Sequence, residues 1–209
     1  MNEFAERTLE TPRLRLIPCT CTELLLGARS LKRLAEAKGL TVVPDTWKEA
    51  RLRKRVFRAK AALIREAPQA WLLCTAWLIA DRNTHMLMGN LGFKGYLPPE
   101  GNRREDGSQV PSGEWERQHC FSECSGRSHG REVEVGYGLH GAFRGCGYMT
   151  EAVGALCRFA FGQNMHPVSC VLALTKPSNT ASQRVLQKNG FQREADCEGL
   201  FCWRRYRRV

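Results

Sequence analysis

The residues best placed to do chemistry lie in one short run, Phe143-Arg144-Gly145-Cys146-Gly147-Tyr148-Met149-Thr150-Glu151-Ala152. Two glycines let the backbone turn tightly, and an amphipathic helical pattern follows at once. Successive N–H groups then point into one concavity at a helix N-terminus, where the macrodipole adds to their pull on an anion. The run has neither the Gly-Lys-Ser/Thr of a Walker loop nor the third glycine of a dinucleotide fingerprint. On spacing alone, an ordinary glycine-rich strand-to-helix turn stays open as the other reading. His119, Cys120, Cys124 and His129 put four potential ligands in one loop. Their Cys-x3-Cys-x4-His spacing fits no zinc pattern with a tight first pair, so no metal is expected. Cys19-x-Cys21 projects its thiols poorly for a shared metal.

These residues need elements to hold them. Leu14 to Ile17 alternates with arginines after Thr11-Pro12 and reads as an edge strand. Thr22–Ala37 and Thr46–Arg65 read as two helices, the second with an apolar stripe of Leu52, Val56, Ala59 and Leu63. Strands follow at Trp71–Ile79 and Met86–Phe93 across the turn Asp81-Arg82-Asn83. Pro98–Gly130 is rich in Gly, Ser, Arg and Glu and shows no sustained period, as in a functional loop insertion. A strand over Glu132–Leu139 then leads through the glycine turn into a helix from about Thr150 to Phe161. Its buried face is Met149, Ala152, Val153, Leu156 and Ala160. Val168–Leu174 has the near-continuous apolarity of a central strand. A helix from about Asn179 to Asn189 stops at Gly190 in the C′ position, and Phe191–Glu194 and Leu200–Tyr206 read as closing strands. The order points to α+β or α/β with a mixed sheet and about four helices.

The chain has 209 residues, 43% hydrophobic and 25% charged, which fits one globular domain spanning 1–209. No apolar run reaches the ~20 residues of a membrane helix, and the acidic N-terminus lacks the form of a signal peptide. A cytoplasmic location is therefore expected. The ten cysteines are read as reduced, with Cys74, Cys157 and Cys170 as core thiols. A formal charge of +11 favours an anionic partner. Six basic residues between Arg51 and Lys60, with the Arg204-Arg205-Tyr206-Arg207-Arg208 tail, form either a solvated face or a weak docking surface for acidic or RNA-rich partners. No aromatic-interleaved RNA motif accompanies them.

The glycine run resembles the acetyl-CoA motif of the GNAT N-acetyltransferase superfamily, Gln/Arg-x-x-Gly-x-Gly/Ala. Here it reads Arg144-x-x-Gly147-x-Met149, with methionine replacing the small third residue. The chain is also similar to the RimJ/RimL-like, ribosomal-protein N-terminal acetyltransferase branch. It shares Leu9-Glu10-Thr11-Pro12-Arg13-Leu14-Arg15-Leu16, Gly89-Asn90-Leu91-Gly92-Phe93-Lys94-Gly95, Val133-Glu134-Val135-Gly136-Tyr137-Gly138-Leu139, Asn179-Thr180-Ala181-Ser182 and Asn189-Gly190-Phe191, all in order.

The resemblance implies a mostly antiparallel mixed sheet splayed between two central parallel strands, with acetyl-CoA in the resulting cleft. The strand ending at Tyr137 and Leu139 would hold the pantetheine arm. Arg144, Gly145, Cys146, Gly147, Tyr148, Met149 and Thr150 would take the diphosphate, and Asn179 and Ser182 would also touch the donor. Glu134 stands where several relatives carry their general base, with Glu132 as the alternative. The position of the tyrosine acid found in many relatives is Leu186, which cannot donate, so Ser182 is the substitute proton donor. Cys146 is a bystander, because the family forms no covalent intermediate. The implied reaction moves acetyl from acetyl-CoA to a primary amine by direct attack in a ternary complex. A protein or peptide N-terminus is the first acceptor, and an amino acid, polyamine or aminoglycoside the alternative. A non-catalytic acyl-CoA-binding or RNA-docking module is the rival class. The expected assembly is a monomer or homodimer.

Overall fold

A computed structural model describes residues 7–43, 50–94, 131–163 and 167–208. The run Pro98–Gly130, with its His and Cys residues, and the start of the helix expected from Thr46 lie outside them. The described chain runs β1 (Leu9–Glu10), β2 (Leu14–Pro18), α1 (Cys21–Arg29), α2 (Leu31–Ala37), β3 (Thr41–Val42), α3 (Ala50–Glu66), α4 (Trp71–Cys74), β4 (Trp77–Asp81) and β5 (Met86–Lys94). It continues β6 (Arg131–Leu139), α5 (Tyr148–Phe161), β7 (Val168–Thr175), α6 (Thr180–Lys188), β8 (Gln192–Cys197) and β9 (Leu200–Tyr206). One mixed sheet orders these strands β1-β2-β4-β5-β6-β7-β9-β8, with β3 parallel to β5. Along that order only β6 and β7 pair parallel. The core is continuous over the sheet, from Leu14, Leu16, Trp77 and Ile79 through Val133 and Val171 to Leu156 of α5.

Among the described residues six α-helices stand where about four were expected, for two physical reasons. The stretch Thr22–Ala37 is broken at Ser30, whose extended backbone (φ −149°) lets its hydroxyl accept from Arg33 N and start α2. Trp71–Cys74 is a helical turn rather than the beginning of a strand. Pro68 opens a 3-10 turn just before it, and Thr75, bonding the Cys19 carbonyl, marks where the chain enters β4. Leu14–Ile17 also lies one strand in from the edge, because β1 pairs outside it.

The buried face of α3 differs from the expected stripe. Phe57, Lys60, Ala61 and Ile64 turn inward, while Leu52 is exposed and Val56 and Leu63 are only half-buried. Gly27 of α1 explains the close approach, since a Cβ there would lie 2.8 Å from the Phe57 ring. Lys60, 7% exposed, donates to the carbonyls of Phe93 (2.7 Å), Thr75 (3.0 Å) and Cys74 (3.3 Å). Burial lowers its pKa to about 8. Lys60 thus belongs to the core, and Arg53 reaches the Gly27 carbonyl. Arg51, Lys54, Arg55 and Arg58 remain as the exposed basic face.

Candidate active site

The site is built where β6 and β7 part. Their pairing runs Arg131↔Val168, Glu132↔Cys170, Val133↔Val171 and Glu134↔Leu172, and goes no further. β6 continues to Leu139, held on its other side by β5 as far as Gly89↔Leu139. The edge of residues 135–139 that faces β7 is therefore left open as a strand edge, able to hydrogen-bond an extended ligand arm.

Beyond Leu139 a 3-10 turn, Gly141–Phe143, leads into the glycine run. Gly145 and Gly147 both have positive φ, +81° and +79°, which side chains other than glycine resist. Gly147 is the N-cap of α5 and supplies no side-chain cap, so the first-turn amides keep their donors for another partner. Residues 144–147 are exposed. These amides form an open cradle, of a shape able to hold an anion, at the start of a fourteen-residue helix. Arg144 donates its Nε to the Leu139 carbonyl at 3.2 Å, tying the loop back to the strand end.

Glu134 lies just before the parting point and is 1% exposed. Its Oε1 is 2.6 Å from Nζ of Lys94, its register partner on β5. The stem of Lys94 runs over Gly136, where a Cβ would come 2.8 Å from its Cε. Glu132, the alternative carboxylate, faces Arg204 Nε at 3.5 Å, and Arg204 also donates to Glu194 at 3.0 Å. Glu132 is thus engaged in a separate ion cluster.

Ser182 lies in the first turn of α6, which Asn179 caps by accepting from Ser182 N. The Ser182 hydroxyl is 2.6 Å from the hydroxyl of Tyr137 on β6. Burial raises the Tyr137 pKa, and the hydrogen bond to Ser182 partly offsets it. Leu186 is fully buried in the core, and the phenol that lies beside Ser182 is that of Tyr137, from a different element. The alternation of β6, which puts Tyr137 on the face of Val133 and Val135, is the signal that could have found this pair.

One polar cluster beside the glycine run escapes sequence reasoning. Glu151 of α5 accepts from Thr11 Oγ1 (2.7 Å), Arg13 N (2.9 Å) and Arg13 Nε (2.7 Å). Burial alone would raise the Glu151 pKa, but these donors outweigh it and the net shift is downward. Among the described residues, no group of three or more His, Cys, Asp or Glu side chains is placed to hold a metal ion. No described helix is long and apolar enough to cross a membrane.

A parallel-strand split with an anion cradle beyond it defines a class, the acyl-CoA N-acyltransferases, and comparison with known proteins agrees. The profile of the acetyltransferase (GNAT) domain matches residues 29–192, and the chain belongs to that family. It is an N-acetyltransferase, and acetyl-CoA is the donor its family uses. Among solved structures it is similar to the ribosomal-protein-S5-alanine acetyltransferase of Vibrio fischeri, at 14% identity and TM-score 0.59, with 97% of each chain covered. It is similar to RimL, a ribosomal L7/L12 alpha-N-protein acetyltransferase, in complex with coenzyme A, at 14% identity and TM-score 0.57, covering 96% of this chain and 98% of that one. An acetyltransferase from Agrobacterium tumefaciens matches at 19% identity and TM-score 0.54, covering 99% and 98%. These likenesses show the fold. No curated protein matches the chain significantly.

Proposed function

We propose that this N-acetyltransferase modifies a primary amine on a protein or peptide N-terminus, with Glu134 as its general base. The observation that carries the reading is a nearly inaccessible carboxylate at the point where the parallel strands separate. Acetyl-CoA supplies the activated acyl group. The open edge of 135–139, including Tyr137 and Leu139, receives the extended arm of the donor. The loop from Arg144 through Gly145, Cys146, Gly147, Tyr148 and Met149 to Thr150 receives its diphosphate, with the amides from Gly145 onward as donors because the Arg144 amide bonds the Gly141 carbonyl. The positive φ of both glycines and the uncapped helix start fit that role. Asn179 fixes the first turn of α6 beside the donor.

An α-amine has a pKa near 7.7–8.0 and must shed a proton to attack. Glu134 takes that proton, directly or through one water. The amine nitrogen bonds to the thioester carbon, the C–S bond breaks, and the surplus proton of that nitrogen reaches the departing sulfur through the paired hydroxyls of Ser182 and Tyr137, each giving up one proton as it receives another. Glu132 is the alternative base; both carboxylates face a cation, Arg204 at 3.5 Å and Lys94 at 2.6 Å, and Glu134 is preferred because it holds the last paired position before the strands part. Two of the similar structures are ribosomal-protein acetyltransferases, which supports a protein N-terminus over a small amine. The exposed stripe Arg51, Lys54, Arg55 and Arg58 of α3 suits weak docking on an acidic or RNA-rich surface.

The test is Glu134→Gln, assayed against a panel of N-terminal peptides and small amines. A positioned base contributes ~10²–10⁴-fold. The expected result is a kcat at least about a hundredfold lower, with KM for acetyl-CoA nearly unchanged and partial rescue at high pH. A variant within about threefold of wild type removes Glu134 from the role.

A further inference from the structure

We propose that Arg13, 133 residues away along the chain, is the positioning residue that locks the diphosphate cradle in its receptive conformation. The inference rests on the cradle reading above and assigns it a part contributed by the N-terminal strand. A loop with glycines at 145 and 147 is permissive by nature, because glycine populates both signs of φ readily. The peptide between Cys146 and Gly147 can therefore turn over at little steric cost, carrying the Gly147 N–H to the other side. Something must hold it.

Arg13 does so from one side. Its Nη1 donates to the Cys146 carbonyl at 2.9 Å. The C=O and N–H of a trans peptide point in opposite directions, and no peptide among the described residues is cis. Pinning that carbonyl to Arg13 therefore turns the Gly147 N–H away from the guanidinium. Nη2 sits 3.5 Å from where a Cβ on Gly147 would be, so the same fork closes the space behind the N-cap.

Arg13 is itself immobilised, as a positioning residue must be. Its backbone N and its Nε both reach Glu151, its guanidinium lies 4.5 Å over the Tyr148 ring, and its carbonyl accepts from Arg82 N at 2.9 Å. Glu151 is anchored in turn by Thr11, which is buried. The start of α5 and the entry to β2 thus form one polar unit around a planar fork that lysine cannot reproduce.

The experiment measures binding of coenzyme A and of pantetheine, which carries the same arm without phosphates, to wild type, Arg13→Gln, Arg13→Lys, Glu151→Gln and Gly147→Glu. Calorimetry reads coenzyme A, and amide chemical-shift titration reads pantetheine. Loss of a charge-assisted hydrogen bond that orients the cradle should weaken coenzyme A by about tenfold or more in Arg13→Gln. Arg13→Lys and Glu151→Gln should show part of that loss, and pantetheine affinity should stay within about twofold throughout. Faster amide exchange at residues 145–148 in Arg13→Gln is the accompanying sign. Equal losses for both ligands would make Arg13 a general structural residue and overturn the proposal. Coenzyme A affinity within about twofold in Arg13→Gln, with Gly147→Glu abolishing binding, would overturn it alone. Undiminished binding in Gly147→Glu would instead overturn the cradle reading and the proposal with it.

Discussion

Replacing Lys94 by Met tests the electrostatic design of the site without touching the carboxylate. Glu134 is 1% exposed, and its Oε1 lies 2.6 Å from the Lys94 ammonium. Removing one partner of a fully buried ion pair costs about 3–5 kcal/mol, because the remaining charge is held away from water without its counterion. Lys94, however, has a side chain 42% exposed. Solvent screens its half of the interaction, and an exposed pair is worth at most about 1 kcal/mol. The pair is mixed, one end dry and one end wet, so about 2 kcal/mol is the expected loss. For a domain of this length each kcal/mol moves Tm by about 2–4 °C, so Lys94→Met should melt about 4–8 °C below wild type.

The decisive arm is the double variant. Lys94→Met with Glu134→Gln no longer buries a carboxylate deprived of its ammonium, so it should regain at least about half of the lost stability. That corresponds to a coupling of about 1 kcal/mol or more. Calorimetry gives Tm, and urea unfolding with an unchanged m-value checks that the denatured state is comparable. A Lys94→Met protein within about 1 °C of wild type would refute the reasoning. So would a double variant whose loss is simply the sum of the two single losses. Gly136 offers a milder version of the same perturbation, since a methyl there pushes on the Lys94 stem rather than removing its charge.

Three further outcomes are expected. Ser182→Ala should lower kcat by about ten- to a hundredfold with KM for acetyl-CoA within about threefold, consistent with loss of a proton donor to the leaving sulfur; steady-state kinetics with unchanged kcat would remove Ser182 from that role. Burial lowers Lys60 from 10.5 to about 8, so between those values the unfolded chain binds the proton that the folded chain has released, and stability rises with pH there. Urea titrations from pH 8 to 10.5 should therefore show wild type gaining on Lys60→Met, and a constant difference would contradict the assignment. Gly27→Ala would put a Cβ 2.5 Å from Leu34 Cδ2 and 2.8 Å from Phe57; overpacking of about 1–3 kcal/mol should outweigh the helix-propensity gain of about 1 kcal/mol, which chemical denaturation will read as a net loss.

The glycine turn was legible because its backbone conformation is a local property. Gly145 and Gly147 take positive φ within one turn of the helix they open, and no distant residue is needed to infer that. The strands Glu132–Leu139 and Val168–Leu174 were legible for a similar reason, since their apolar pattern reports burial directly. Trp71–Ile79 misled because one apolar run carries a helical turn and then a strand, which periodicity cannot separate, whereas Pro68 and the Thr75 hydroxyl decide the backbone. Lys60 misled more deeply. A hydrophobicity pattern counts a lysine as surface, and only the arrival of three carbonyls from other elements turns its position into core.

The polar partners that tune the site share that difficulty. Lys94 and Glu134 are forty residues apart in sequence and meet only through strand register. Arg13 and Glu151 are 138 apart and meet because β2 passes the start of α5. Neither pairing leaves a periodic trace, since a single charged residue on a strand looks alike whether it faces water or a partner. Backbone chemistry that a few adjacent residues impose on themselves can be read along the chain. The choice of counter-charge is instead a property of which segments the fold brings side by side, and here it sets Lys94 against Glu134 and Arg13 against Glu151 and the Cys146 carbonyl.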